Sequence, residues 1–271
     1  MPYKHGRPVI DLSLPFRIAS AMGFYLTIPI AFLINYMMFF TGYKNRFNLK
    51  GIRRAVTVSN HTTFLDPVKI AALALPELIY QTLLEGTVES PILGTYTRIL
   101  GGVPIPRGIG GHKKILDILK PDRADKTAYG KKYYSDQKLP TGFDFRRFMH
   151  FYPEGECFLY NQKIREFKSG AFIIAAELNI PVIPLVTVLK EGPFRPWSFL
   201  GRSLPYETLV VLEPVYPSGY VKKNDKGEFT LESIRKFSEA VRKRMQAEID
   251  KRGGSCAFYR GQMERLKGIN D

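Results

Sequence analysis

A chain of 271 residues is long enough to bury most of its apolar surface in one core, which favours one sizeable domain with a single functional centre. The 40 Lys and Arg against 25 Asp and Glu give a formal charge of +15, so an anionic partner is expected: acidic lipid headgroups, a phosphorylated small substrate or nucleic acid. The two cysteines, Cys157 and Cys256, show no CxxC spacing and exclude a disulfide framework or a structural zinc site, which leaves a reducing cytoplasmic setting as the default.

In chain order, the first predicted element is the run from Ile18 to Tyr43, which contains no charged residue. A bilayer span takes roughly 20 apolar residues, so this segment is long enough, but Gly23, Thr27, Pro29 and Asn35 interrupt it. Pro29 removes a helical hydrogen bond and predicts a kink or a break into two helices. Basic residues flank both ends, namely Lys4, Arg7 and Arg17 before the segment and Lys44, Arg46, Lys50, Arg53 and Arg54 after it. That symmetry suits helices lying in the cytoplasmic leaflet, where each Lys or Arg near an anionic surface contributes about 1 kcal/mol. A buried core helix and a cleaved signal peptide are the competing readings, the latter disfavoured by the length of the run. Residues 1–45 are thus expected to form a membrane-anchoring segment and 46–271 the catalytic domain.

Beyond the anchor, "FNLKGI" and "RAVTVSN" read as short strands. "DPVKIAALALPELI" reads as a helix with Asp66 as N-cap and proline at its first position. "LIYQTLL" predicts a strand, "SPILGTYTRILG" a helix ending at Gly101, and "GVPIPRG" an extended segment. The stretch from Pro121 to Gly142 looks like a basic loop preceded by a helix. "FRRFMHFYPEG" predicts a strand running into a turn, "GAFIIAAELN" a helix and "IPVIPLVTVL" a buried strand. Ile234, Phe237, Val241, Met245 and Ile249 at helical spacing predict a C-terminal amphipathic helix whose basic face is solvated. Strands alternating with helical patterns indicate an α/β fold, a sheet covered by helices.

Of four scattered histidines, His61 alone stands out, because Asp66 follows five positions later at a strand-to-helix junction. No HExxH pairing offers a metal centre. An imidazole takes a proton near neutral pH, and a fixed carboxylate can set its tautomer and stabilise its charge. No G-x-S-x-G elbow supplies a protein nucleophile, so the target of such a base is a substrate hydroxyl. A helix-cap role for Asp66 explains the same spacing. Arg107 in "GGVPIPRG" suits bidentate contact with a phosphate, and Gly155 in "FYPEGE" lets a ligand approach the backbone beside Glu154. Acidic neighbours keep Cys157 an inert thiol.

"NHTTFLDP", "GGVPIPR", "FYPEGE" and "IPVIPLV", in this order from about Val56 to Val186, resemble the four blocks of the glycerolipid acyltransferases, the family of 1-acylglycerol-3-phosphate acyltransferase. The resemblance implies a mixed β-sheet flanked by helices, with the active site at the strand ends. It implies that His61, oriented by Asp66, deprotonates the hydroxyl of a lysophospholipid acceptor, which attacks the thioester of acyl-CoA or acyl-carrier protein. Arg107 would bind the acceptor's phosphate, Glu154 and Gly155 would shape its site, and backbone near Pro184 would hold the oxyanion. No metal or bound cofactor is implied, and the partners are a phospholipid membrane and these substrates rather than nucleic acid. Glu156 and Cys157 depart from the family's third block, where a Thr and a basic residue usually follow; Lys168 in "EFKSG", or Arg165, can supply the missing charge. Two other classes fit parts of the sequence. A non-catalytic basic membrane-binding protein explains charge and anchor but not the ordered blocks, and a serine or cysteine lipid hydrolase lacks a nucleophile motif.

Overall fold

The apolar N-terminal run folds as one uninterrupted helix, α1 (Leu14–Phe39), with Pro29 inside it. The expected break into two helices does not occur, because one missing hydrogen bond is outweighed by the intact turns on both sides of the proline. One face of α1 is buried through Ser20, Phe24, Ile28, Asn35 and Phe39, while Leu14, Ile18, Met22, Leu26, Ile30, Leu33 and Met37 form an exposed apolar stripe. Only 22% of its most apolar stretch is buried, which sets it apart from a core helix. The computed structural model describes residues 4, 9–91, 93–105, 111–119, 142–192 and 203–265.

The chain divides into two units, and α1 passes from one to the other after Thr27. The first unit comprises Met1–Thr27, Pro76–His150 and Glu264–Asp271. It holds β3 (Ile79–Leu84), β4 (Gly102–Ile105) and β5 (Phe148–Phe151), all parallel, with β3 in the centre; β5 leads out of the unit at Phe151. Between these strands come α3 (Glu85–Glu89), α4 (Gly94–Ile99), α5 (Gly111–Leu119) and the single turn α6 (Gly142–Phe145). The helix expected over "SPILGTYTRILG" is thus shorter, and it ends, as its sequence indicates, at Gly101, whose φ of +99° admits glycine readily. A Cβ at Gly101 would collide with the Ile79 carbonyl and with Arg146. Arg146 is fully buried, donates to Ile79 O at 2.8 Å and to Ser20 Oγ at 2.6 Å, and lies over the rings of Phe24 and Tyr80; burial pushes its guanidinium down to about 10. Except for its last residue, the expected basic loop from Pro121 to Gly142 lies outside the described residues.

The second unit comprises Ile28–Leu75 and Phe151–Met263. Its strands β1 (Gly42–Lys44), β2 (Ala55–Ser59), β6 (Val182–Lys190) and β7 (Tyr206–Val211) lie in the order β1-β7-β6-β2. β6 and β7 are antiparallel while the other two pairings are parallel, which makes the sheet mixed as the family resemblance implies. All five residues of β2 and all but the last of β6 are buried, the continuous apolar pattern of strands covered on both faces. α7 (Gly170–Leu178) packs against β2, and α8 (Leu231–Lys251) packs against β6 and α7. α8 starts at Thr230, whose hydroxyl accepts from Ser233 N, and buries the five apolar residues expected from its spacing.

Two local expectations differ. "FNLKGI" is not a strand but a 3-10 turn over Arg46–Leu49, entered through Asn45 in the left-handed region (φ +59°). β1 and β7 are not evident from the sequence, since β1 is three residues long at the end of the apolar run and β7, "YETLVV", is short and carries a charged residue that proves to be buried.

Candidate active site

The loop between β2 and α2 (Asp66–Ala74) carries His61. Its backbone is fixed from several sides. His61 N donates to Glu154 Oε1 at 3.1 Å, its carbonyl accepts from Phe158 N at 3.0 Å, and the Thr62 carbonyl accepts from Tyr160 N at 2.9 Å. One residue earlier, the Asn60 amide donates to Thr187 O at 3.0 Å and accepts from Thr187 N at 2.9 Å. Nearly every polar group of a buried loop must find such a partner, and here the partners also hold the imidazole in place.

Asp66 is not the N-cap of α2. It lies within the first turn, with Leu65 preceding it as cap residue, and its carboxylate turns back to the loop. It accepts from Thr62 N at 2.6 Å and Thr63 N at 3.1 Å, and from the Thr63 hydroxyl at 2.8 Å. Its Oδ2 meets His61 Nδ1 at 2.7 Å. Burial by itself would raise the Asp66 carboxyl, but Lys69 and His61 outweigh it and hold the group well below the usual carboxylate range. An ionised Asp66 only accepts, so Nδ1 carries the proton and Nε2 keeps its lone pair. The His61 side chain remains 18% exposed while that of Asp66 is fully buried. The pair can therefore take a proton at Nε2 from an arriving group.

The turn after β5 brings the third motif to this loop. Glu154 is buried and divides its carboxylate between His61 N and, at 3.0 Å, Arg165 N. Burial raises its carboxyl, and these two backbone donors oppose the rise. Gly155 has φ +76°, and the exposed Lys168 lays its ammonium where a Cβ on Gly155 would sit. The structure thus assembles His61, Asp66, Glu154, Gly155 and Lys168. Arg107 lies outside the described residues. Pro184 sits inside β6, opposite Val58 and with its carbonyl accepting from Leu212 N. Cys157 is buried and its thiol is pushed up, first by burial and then by Asp66, in keeping with an inert role.

Three residues escape the sequence reading. Tyr152 stacks on His61 with ring centroids 4.0 Å apart and planes at 21°. Lys69, fully buried, pairs with Asp66 at 2.6 Å and with the buried Glu207 of β7. A lone lysine in the apolar "PVKIAALAL", one turn after Asp66, was a visible signal; Glu207 had none.

The mixed sheet, with a carboxylate-anchored histidine at the end of a buried strand, agrees with the fold that the acyltransferase resemblance implies. The Acyltransferase family model matches residues 41–188, and the chain belongs to that family. It is 25% identical over 170 residues to the chloroplastic 1-acyl-sn-glycerol-3-phosphate acyltransferase BAT2 of Brassica napus, a match covering 60% of this chain and 41% of the relative. The chain therefore spans about two fifths of the length of this curated relative. Its fold is similar to the crystal structure of the 1-acyl-sn-glycerophosphate (LPA) acyltransferase PlsC from Thermotoga maritima, with a TM-score of 0.51 and 19% identity over 87% of this chain and 79% of that one.

Proposed function

We propose that this protein is a membrane-associated O-acyltransferase that moves a fatty acyl group from acyl-CoA or acyl-carrier protein to the free hydroxyl of a lysophospholipid. The expected acceptor is 1-acyl-sn-glycerol-3-phosphate and the product phosphatidic acid. Family membership supports the reaction class, and the names of the two similar acyltransferases support the acceptor. The observation that carries the mechanism is the 2.7 Å contact of His61 Nδ1 with buried Asp66, which leaves Nε2 as base.

In this mechanism the acceptor hydroxyl gives its proton to His61 Nε2 as its oxygen attacks the thioester carbonyl. The new C–O ester bond forms, the C–S bond breaks, and His61 returns the proton to the departing thiolate. Asp66 stabilises the imidazolium between these steps, and general base catalysis of this kind is worth roughly 10²- to 10⁴-fold. Glu154 acts by holding the His61 backbone, while Lys168 and Arg107 supply positive charge for the acceptor's phosphate. The exposed apolar stripe of α1 supports attachment to a phospholipid surface; a catalytic domain on the cytoplasmic side is part of the same proposal.

Product analysis by mass spectrometry tests the acceptor: wild-type protein in vesicles receives one acyl-CoA and a panel of lysolipids. Preferential acylation of lysophosphatidic acid is expected. Equal use of acceptors without a phosphate would overturn the roles of Lys168 and Arg107, and no acylation of any acceptor, with acyl-CoA or with acyl-carrier protein in a parallel run, would favour a non-catalytic membrane-binding protein.

A further inference from the structure

The buried polar network does not stop at Asp66. Its Oδ1 also meets Lys69 Nζ at 2.6 Å, Lys69 pairs on its far side with Glu207 Oε1, and Glu207 Oε2 accepts from the Thr41 hydroxyl at 2.8 Å. Thr41 in turn accepts from Asn35 Nδ2 of α1 at 2.7 Å. Asp66 and Lys69 have fully buried side chains, as does Glu207's, and Asn35 and Thr41 are buried too.

Such burial is expensive for each ion unless the geometry compensates, and Asp66 does not need Lys69 for that purpose. Thr62 N, Thr63 N, the Thr63 hydroxyl and His61 already satisfy its oxygens. Lys69 alone would moreover work against the site, because an ammonium on the far side of Asp66 cancels the negative charge that His61 needs when it holds a proton. Glu207 reverses that. Two carboxylates and one ammonium leave the triad with one net negative charge, and the triad together with His61 becomes neutral when His61 is protonated.

Resting on the reading of His61 as base, we propose that Lys69 and Glu207 are positioning residues that set the charge facing His61, with Glu207 restoring the negative field that Lys69 would remove. Lys69 fixes the carboxylate of Asp66 from behind, and Glu207, tied through Thr41 to α1, fixes Lys69. Among the described residues, the other titratable groups around the triad include Tyr152, Glu154, Glu156, Cys157 and Tyr160 on the segment after β5, with Arg260 over the Tyr160 ring, and Tyr43 of β1 with Arg46 beside it. Tyr43 donates to the Lys69 carbonyl at 2.9 Å; burial raises the hydroxyls of Tyr43, Tyr152 and Tyr160 and the thiol of Cys157 and keeps them neutral. Arg46 and Arg260 are cationic, Glu156 lies by Cys157, and the Glu154 carboxylate is directed to backbone amides, so the carboxylate paired with Lys69 is that of Glu207.

The test is the pH profile of kcat/KM for CoA release from an acyl-CoA, with lysophosphatidic acid as acceptor and full-length protein in vesicles. Glu207→Gln should move the acid limb to lower pH by about one unit and lower kcat by roughly ten-fold, with KM for the acceptor unchanged. Lys69→Met combined with Glu207→Gln restores one net negative charge and should return the limb to its wild-type position. A limb that stays in place in folded Glu207→Gln, or one that the double variant fails to return, would overturn the proposal, since a structural role predicts no such rescue. Should Glu207→Gln not fold, Thr41→Val, which removes a hydrogen bond to Glu207 but no charge, and the double variant, which keeps the net charge, should both leave the limb in place; movement in either is equally contrary. Full activity in His61→Ala would instead overturn the reading of His61 on which the proposal rests.

Discussion

Asp66 ties the stability of the site to pH as well as its chemistry. Its carboxyl lies well below the ordinary value of about 4 in the folded protein, because Lys69, His61 and the loop amides outweigh burial. A depressed carboxyl contributes stability that is present above the unfolded value and is lost as pH falls toward the folded one. The thermal midpoint should therefore drop as pH is lowered below about 4, and Asp66→Asn should flatten that drop; an identical acid dependence in the variant would contradict the charge assignment. The stacked ring of Tyr152 is a second support at this scale. Tyr152→Phe keeps the ring and should retain most activity, whereas Tyr152→Leu should lower kcat by roughly ten-fold with little change in KM, as expected for a contact that orients the base.

Among the elements, the turn after β5 and the start of α2 carry the constraints. Gly155→Ala places a side chain at φ +76° and against the Lys168 ammonium, and should destabilise the protein by about 1–3 kcal/mol in urea unfolding while displacing Lys168. Lys69→Met leaves two buried carboxylates without their shared cation and should cost about 3–5 kcal/mol in the same measurement. The sequence shows the turn and the strand-to-helix junction directly, since proline, glycine and aspartate act through local geometry. It shows the orientation of Asp66 less well: a carboxylate in the first turn of a helix can cap forward or reach back, and only the Thr62 and Thr63 amides decide. Glu207 is invisible for a different reason. Its partner is 138 positions away, and nothing in "PYETLVV" distinguishes a buried charged pair from a surface glutamate.

At the scale of the whole molecule, the exposed apolar stripe of α1 is what the proposed membrane attachment rests on. Replacing Leu26, Ile30 and Leu33, exposed at 68%, 65% and 57%, with glutamine should release the protein from vesicles in a flotation assay and leave its far-UV circular dichroism unchanged. Retention of the triple variant would contradict attachment through this face. The length and apolarity of this helix were plain in the sequence, but its continuity through Pro29 was not, because a proline's cost must be set against all the turns around it. The α/β alternation likewise gave the class of fold, while the three-residue β1 and its pairing with β7 depend on contacts between distant segments. Proton transfer at His61 is the step on which the proposed function stands. The most direct measurement is the rate of ester formation from acyl-CoA and a lysolipid, by product mass, for wild type and His61→Ala at equal vesicle occupancy. A loss of at least 10²-fold with unchanged membrane binding is predicted, and a rate equal to wild type would contradict it.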